Sequence, residues 1–251
     1  MVAPNGARRK KHDHPAIPVT IAETVESARQ CFEAGAGGLH AHVRDQRGEH
    51  VLDAGLYREL LEEMRRAVPK MMVQITTEAV GRYSAQQQRQ LVQTVQPAAV
   101  SVGMGEMMSD GDEGAARRFY HEAEEHGIAV QHILYEAAEL ETLFDLTGRG
   151  IVPSGPLQLL FVLGRYTKNQ QSDPAMLKPF LDALERSEQT HDWAICAFGV
   201  AETRCLEAAL KNGGKARVGF ENGLHNADGT LAADNAERVR EIHAIAHRLS
   251  A

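Results

Sequence analysis

Short β-branched and apolar runs alternate with longer amphipathic stretches along all 251 residues, which predicts an α/β fold, a TIM (β/α)8 barrel filling one domain over residues 1–251. Three observations carry this expectation. The runs number eight of each kind, and the length is that of one such barrel. No GxGxxG turn follows the first apolar run, as an open doubly wound sheet with a dinucleotide site would require.

In chain order, the first strand is expected at residues 1–4, before an irregular stretch, 5–19, that contains Pro15 and Pro18 and would lie over one mouth of the barrel. Helix 20–34 starts at Thr20 with Glu23 three residues on, the spacing of a capping box, and Gly35 follows its end. Strand 38–44, helix 54–67 and strand 71–77 come next, then helix 85–96 behind an N-cap at Ser84. Strand 98–104, helix 115–126 closed by Gly127, strand 128–135, helix 136–146 and strand 157–164 continue the alternation. The polar loop 165–174 belongs at the mouth where βα loops build active sites. Helix 175–186, strand 193–199, helix 201–211, strand 216–222 and helix 233–248 complete the count, the last strand returning beside the first.

Composition excludes several classes. Hydrophobic residues at 43% and charged residues at 24% suit a globular protein with a large core. With 34 acidic against 27 basic residues, a net charge of −7 and no basic stripe, no nucleic-acid partner is expected. The one local basic run, Arg8 to Lys11, lacks the apolar stretch of a secretory signal, and no run approaches the roughly 20 apolar residues of a membrane span. Cys31, Cys196 and Cys205 make no paired framework and no Cys-x-x-Cys motif, so they read as reduced thiols of a cytoplasmic protein.

The second strand reads HAHVRD, with His40 and His42 two residues apart. On a strand that spacing puts both imidazoles on one face, and Leu39, Ala41 and Val43 supply the helix-facing one, so the histidines point into the barrel. Two inward imidazoles at the catalytic mouth suit a divalent metal, zinc above all, although the pair alone equally fits hydrogen-bonded core histidines. The eighth strand reads ARVGFEN, whose alternation groups Arg217, Gly219 and Glu221 opposite Val218 and Phe220. Barrel closure brings Glu221 toward His40 and His42, and three ligands leave one position open, as in catalytic zinc sites. The competing reading pairs Glu221 with Arg217, four residues earlier, too far for side-by-side contact on one strand but reachable around the barrel. Arg217 would clamp a substrate carboxylate in bidentate fashion, or serve as the structural partner of Asp45 or Glu78. Gln74, Thr76, Thr77, Glu78, Ser101 and His132 fall at other strand ends, and the Thr77 and Ser101 hydroxyls could bind a carboxylate or merely cap turns. No serine elbow and no strand lysine supports acyl-serine or Schiff-base chemistry.

Taken together, HAHVRD after GAGG, QITTEAVGRY, AVSVGMGE and RVGFEN resemble the β-keto acid cleavage enzyme family, founded on 3-keto-5-aminohexanoate cleavage, over nearly the whole chain. The resemblance implies a zinc-dependent barrel, tetrameric in the family, that condenses a β-keto acid with acetyl-CoA to give acetoacetate and a new acyl-CoA. It carries the metal ligands onto His40, His42 and Glu221, the last-strand arginine onto Arg217, and the hydroxyl positions onto Thr77 and Ser101. An enolate of the keto acid would attack the thioester, and CoA thiolate would then attack the ketone and release the C–C bond. Two positions depart from the pattern. Asn222 stands where family members carry an acidic residue in the catalytic set, and an amide cannot accept a proton. APNGARRKK replaces a segment with a glutamate that binds the substrate amino group, which favours a neutral or anionic side chain, with Arg8, Arg9 or Lys10 available to a second carboxylate. Alternatives on the same fold are a metal-dependent hydrolase, a class II aldolase, or an inactive relative that binds metal and keto acid.

Overall fold

Seven strands pair in parallel and in sequence order: β1 (Gly38–Ala41), β2 (Met72–Thr76), β3 (Ala99–Gly103), β4 (Ala129–Leu134), β5 (Gln158–Leu163), β6 (Asp192–Ala197) and β7 (Lys215–Ala216). They belong to a computed structural model that describes residues 1–187 and 191–250. The sheet is closed by one residue. Val2 bridges in parallel to Leu39 on one side and to Val218 on the other, so the expected first strand occupies its place between strands but is reduced to a single bridge. Backbone bonds from Val2 N–H to Gly38 O (2.8 Å) and from Ala3 N–H to Val218 O (2.8 Å) hold this seam. The result is the expected TIM-like barrel.

Around the sheet lie α1 (Ile21–Glu33), α2 (Ala54–Ala67), α3 (Ala85–Val95), α4 (Met104–Met107), α5 (Glu113–Glu125), α6 (Ala137–Gly148), α7 (Lys178–Glu185), α8 (Glu202–Lys211) and α9 (Asn235–Ser250). Thr20 and Ser84 form full capping boxes with Glu23 and Gln87, so the sequence signals for these two starts correspond to real hydrogen bonds. The short α4 was not expected. It begins where β3 ends, and Glu106 within it accepts from Ala79 N–H (3.0 Å), tying two neighbouring strand ends. The expected helix 175–186 is a 3-10 turn, Pro174–Leu177, running into α7.

Parallel partners share a face, so register divides the sheet residues into two sets. Leu39, Ile75, Val100, Leu134, Phe161 and Ile195 join the large core between sheet and helices. His40 pairs with Gln74, and Thr76 with Ser101, on the inward face. Farther round the barrel that face carries Ile133, Leu160, Val162, Ala194 and Cys196, which form a separate apolar cluster with Phe198.

Two strand ends differ from expectation, and both matter to the site. β1 stops at Ala41, and the chain folds back at Gly48 (φ 76°) so that Arg44 pairs antiparallel with His50. The expected strand 216–222 breaks at Gly219, whose φ of 138° favours glycine and whose Cβ would sit 2.5 Å from Ala3 O. Beyond it the N–H groups of Asn222 and Gly223 both donate to Gly219 O, so Glu221 stands on a tight turn rather than on a strand. No helix among the described residues is long and apolar enough to cross a membrane.

Candidate metal centre and anion-binding cleft

His40, His42 and Glu221 meet at the mouth of the barrel beside the seam, each offering one ligand atom within 4.8 Å of the others. The imidazoles lie edge to face with ring centres 5.0 Å apart, and His40 Nε2 is 3.7 Å from Glu221 Oε2. Both histidines are almost fully buried. Burial, with the positive charge of Arg217 and the neighbouring His42, holds His40 well below its usual pKa, so it is neutral and has a lone pair to give.

Each histidine is oriented by a second residue. His40 Nδ1 faces Gln74 Oε1 at 2.8 Å, and Gln74 Nε2 donates to Gln131 Oε1 at 3.2 Å, an arrangement that puts the His40 proton on Nδ1 and leaves Nε2 toward Glu221. His42 Nε2 lies 3.1 Å from Glu78 Oε2, while its Nδ1 is buried without a partner. Burial opposes the charge of Glu78, but the hydrogen bond with His42 and the charges of His42, Arg165 and His50 prevail and hold it at about 2. His50, carried in by the Arg44 fold-back, bonds Glu78 O (3.0 Å) and packs edge-on against His42 at 5.1 Å. The sequence reading did not include His50; its position depends on the Gly48 turn, which strand periodicity does not report.

Glu221 is set by its turn. Glu202, buried beneath, accepts from Gly219 N–H (3.2 Å) and pairs with the fully buried Arg238 (2.9 Å). Burial pushes Glu202 up to about 7 despite that arginine. Asn235 accepts from Phe220 N–H (2.8 Å) and donates to Pro4 O (3.1 Å), locking turn to seam. Gly6 lies so close that a Cβ there would fall 2.5 Å from Glu221 Cγ. Glu221 Oε2 is buried and has no hydrogen-bond donor.

Arg217 is 3% exposed. Its Nη2 donates to Cys196 Sγ (3.3 Å) and reaches Glu221 Oε1 (3.4 Å), whereas Nε and Nη1 have no partner. Of the partners considered for it from sequence, Glu221 is the one it meets, and Asp45 and Glu78 are not. Four residues along a strand would separate Arg217 from Glu221 beyond contact; the Gly219 turn brings them together. Burial pushes the Cys196 thiol up to about 11, so it stays protonated beside the guanidinium.

These groups open into a cleft of about 590 Å³. Its wall includes His40, Thr76, Glu78, Arg217 and Glu221 from the strand side, and Gly6, Arg8, Arg9, Arg165 and Gln170 from the two loops expected over the mouth. Arg9 is committed to Phe220 O (2.7 Å) and Asn222 O (3.2 Å), and Lys10 pairs with Glu49. Arg8 is exposed and has no ion partner among the described residues.

The remaining sequence candidates take other places. Thr77 is buried off the cleft, its hydroxyl donating to Ser101 O (3.2 Å), and its neighbour Thr76 is the residue on the wall. Ser101 lies inward beside Thr76, with a buried Oγ that has no partner. Asn222 is fully buried, does not line the cleft, and has both side-chain polar atoms unpaired. His132 faces the helices instead, packed 5.4 Å from the Tyr120 ring of α5.

Fold and site together define a closed parallel barrel with a His2Glu cluster able to hold a metal ion at its mouth, beside an arginine with two unpaired nitrogens. The model of the beta-keto acid cleavage enzyme family matches residues 1–251, and the chain belongs to that family. Among curated relatives, 3-oxoadipate:acetyl-CoA acetyltransferase of Cupriavidus necator is 27% identical over 97% of this chain and 86% of its own length. A 3-keto-5-aminohexanoate cleavage enzyme of Fusobacterium nucleatum is 25% identical over 97% of this chain and 89% of its own. The solved complex of ObcA with oxaloacetate superposes with a TM-score of 0.71 at 16% identity, a likeness of fold; it covers 92% of this chain, which spans 63% of ObcA, less than two thirds.

Proposed function

We propose that this protein is a zinc-dependent β-keto acid cleavage enzyme that uses acetyl-CoA, releasing acetoacetate and the CoA ester of the remaining fragment. The observation that carries the proposal is the cluster itself: a neutral His40, a His42 fixed by Glu78, and a buried Glu221 oxygen without a donor, all within ligand distance of one another. Two imidazoles and one carboxylate fit a tetrahedral zinc with one open position. Zinc bound there would supply Lewis acidity to the keto and carboxylate oxygens of the substrate.

The protein's own groups do the rest. Arg217 Nε and Nη1, buried and unpaired, form a fork for a substrate carboxylate and fix the acid next to the cluster. Ser101 Oγ is a buried donor without a partner on the inward face beside Thr76, while Thr77 holds the strand end through Ser101 O. Gln74 and Glu78 keep the two imidazoles in place. Asn222 acts through its backbone carbonyl, which accepts from Arg9, while its side-chain amide takes no proton. Four arginines against two carboxylates on the cleft wall favour an anionic over an amino-bearing keto acid, in keeping with the 3-oxoadipate of one relative's name.

Purified protein is expected to contain one zinc per chain and to form acetoacetate from acetyl-CoA and a β-keto acid. A panel of neutral, cationic and dicarboxylic keto acids yielding no acetoacetate from zinc-replete protein would refute the proposal. Turnover without any thioester would move it to a hydrolase.

A further inference from the structure

Next to the cluster a second, wider cleft of about 870 Å³ opens between the segments that follow β4 and β5. The two clefts share Tyr135, Val162 and Arg165 in their walls, so a long molecule can lie in the second with one end in the first. Their chemistry differs. Arg8, Arg9, Arg217, Glu78 and Glu221 line only the first, whereas Met176, Pro179, Phe180 and the ring of Tyr166, with Glu136 as a single carboxylate, line the second. Tyr166 is 77% exposed, with its ring centre 4.9 Å from that of Tyr135. A large ring left this open to water, beside an apolar trough, is a stacking platform in need of a flat partner. Lys168, two residues on, is exposed and makes no ion pair among the described residues. A short keto acid held at Arg217 would leave this whole surface unused.

We infer that the second cleft binds the acyl-CoA co-substrate, an inference that rests on the acetyl-CoA-dependent reaction proposed above. The pantetheine arm, long, unbranched and only weakly polar, lies along Met176 and Phe180. Its thioester end passes between Tyr135 and Arg165 toward the cluster. The adenine stacks on Tyr166, and Lys168 faces the phosphates.

The test titrates CoA, which needs no turnover, into the purified full chain by calorimetry. Wild type is compared with Tyr166→Ala, a change at an exposed residue that spares the fold, and with Ala137→Trp, which fills the cleft from its half-buried wall on α6. Tyr166→Ala is expected to weaken CoA binding about tenfold, the usual loss for one stacked base. Ala137→Trp weakens it further, and in both the KM for acetyl-CoA rises while the KM for the keto acid and the zinc content stay put. Unchanged CoA affinity in both variants overturns the site, as does a wild type that binds no CoA. Tyr166-dependent CoA binding without turnover of any keto acid sinks the proposed reaction and leaves the thioester site standing.

Discussion

The barrel interior has two halves of opposite chemistry. Beside the seam, the inward positions are His40, Gln74, Thr76 and Arg217, with His42 and Glu221 at the strand ends; across from them, on β4 to β6, they are Ile133, Leu160, Val162, Ala194 and Cys196. The apolar half is buried, with Ile133, Val162 and Phe198 reaching the cleft wall. The polar half keeps unpaired atoms on Arg217, Glu221 and Ser101, all buried. Unpaired buried polar groups oppose folding and persist where a ligand completes them. The apolar half also excludes water from one side of the charged groups, which strengthens their action on a bound anion.

Substitutions should separate the two halves. The largest effect is expected at the cluster: Glu221→Ala, His40→Ala or His42→Ala should abolish stoichiometric zinc, read by elemental analysis, and with it all turnover. If such a variant keeps its zinc, the assigned ligands are wrong. Next comes Arg217→Lys, which retains charge but loses the fork; kcat/KM should fall by about 10²- to 10³-fold with zinc content intact.

In the apolar half the order reverses. Leu160→Ala, at a fully buried position, should lower unfolding free energy by about 2–5 kcal/mol in a urea titration and leave zinc binding as it was. A pH effect tests a residue belonging to neither half. Burial depresses His132 from 6.5 to about 4, so its contribution to stability is present above pH 6.5 and is lost as pH falls toward 4. In metal-free protein His132→Phe should flatten that acid limb by on the order of 3 kcal/mol, measured as unfolding free energy at pH 7 and pH 4. An unaltered acid limb would mean that His132 is not the buried neutral group described.

Much of the polar half was legible before any coordinates. HAH on a strand has one geometric meaning once Leu39, Ala41 and Val43 claim the other face, and capping boxes at Thr20 and Ser84 mark helix starts by local chemistry. What periodicity could not supply lies where the chain leaves a strand. Alternation grouped Arg217 and Glu221 correctly, yet for a different reason, since a glycine turn and not a strand face unites them. Of the two adjacent threonines, Thr76 and not Thr77 lines the cleft, because a period of two turns a one-residue offset into the opposite face. His50 and Glu78 owe their places to the Gly48 fold-back and to the chain beyond β2, and nothing periodic announces either. The Arg165 loop was legible as a cover over the mouth, though its arginine's contact with Glu78 (3.4 Å) was not.

The seam at Val2 also sets an order of events during synthesis. His40 and His42 leave the ribosome early, but the carboxylate they meet is made near the other end of the chain, after Val218 has become available to bridge back to Val2. A nascent chain stopped before Val218 therefore holds two imidazoles and an unsealed sheet edge. Contacts between such distant segments form slowly, so the open edge closes late and the His40, His42 and Glu221 cluster is complete only once it has.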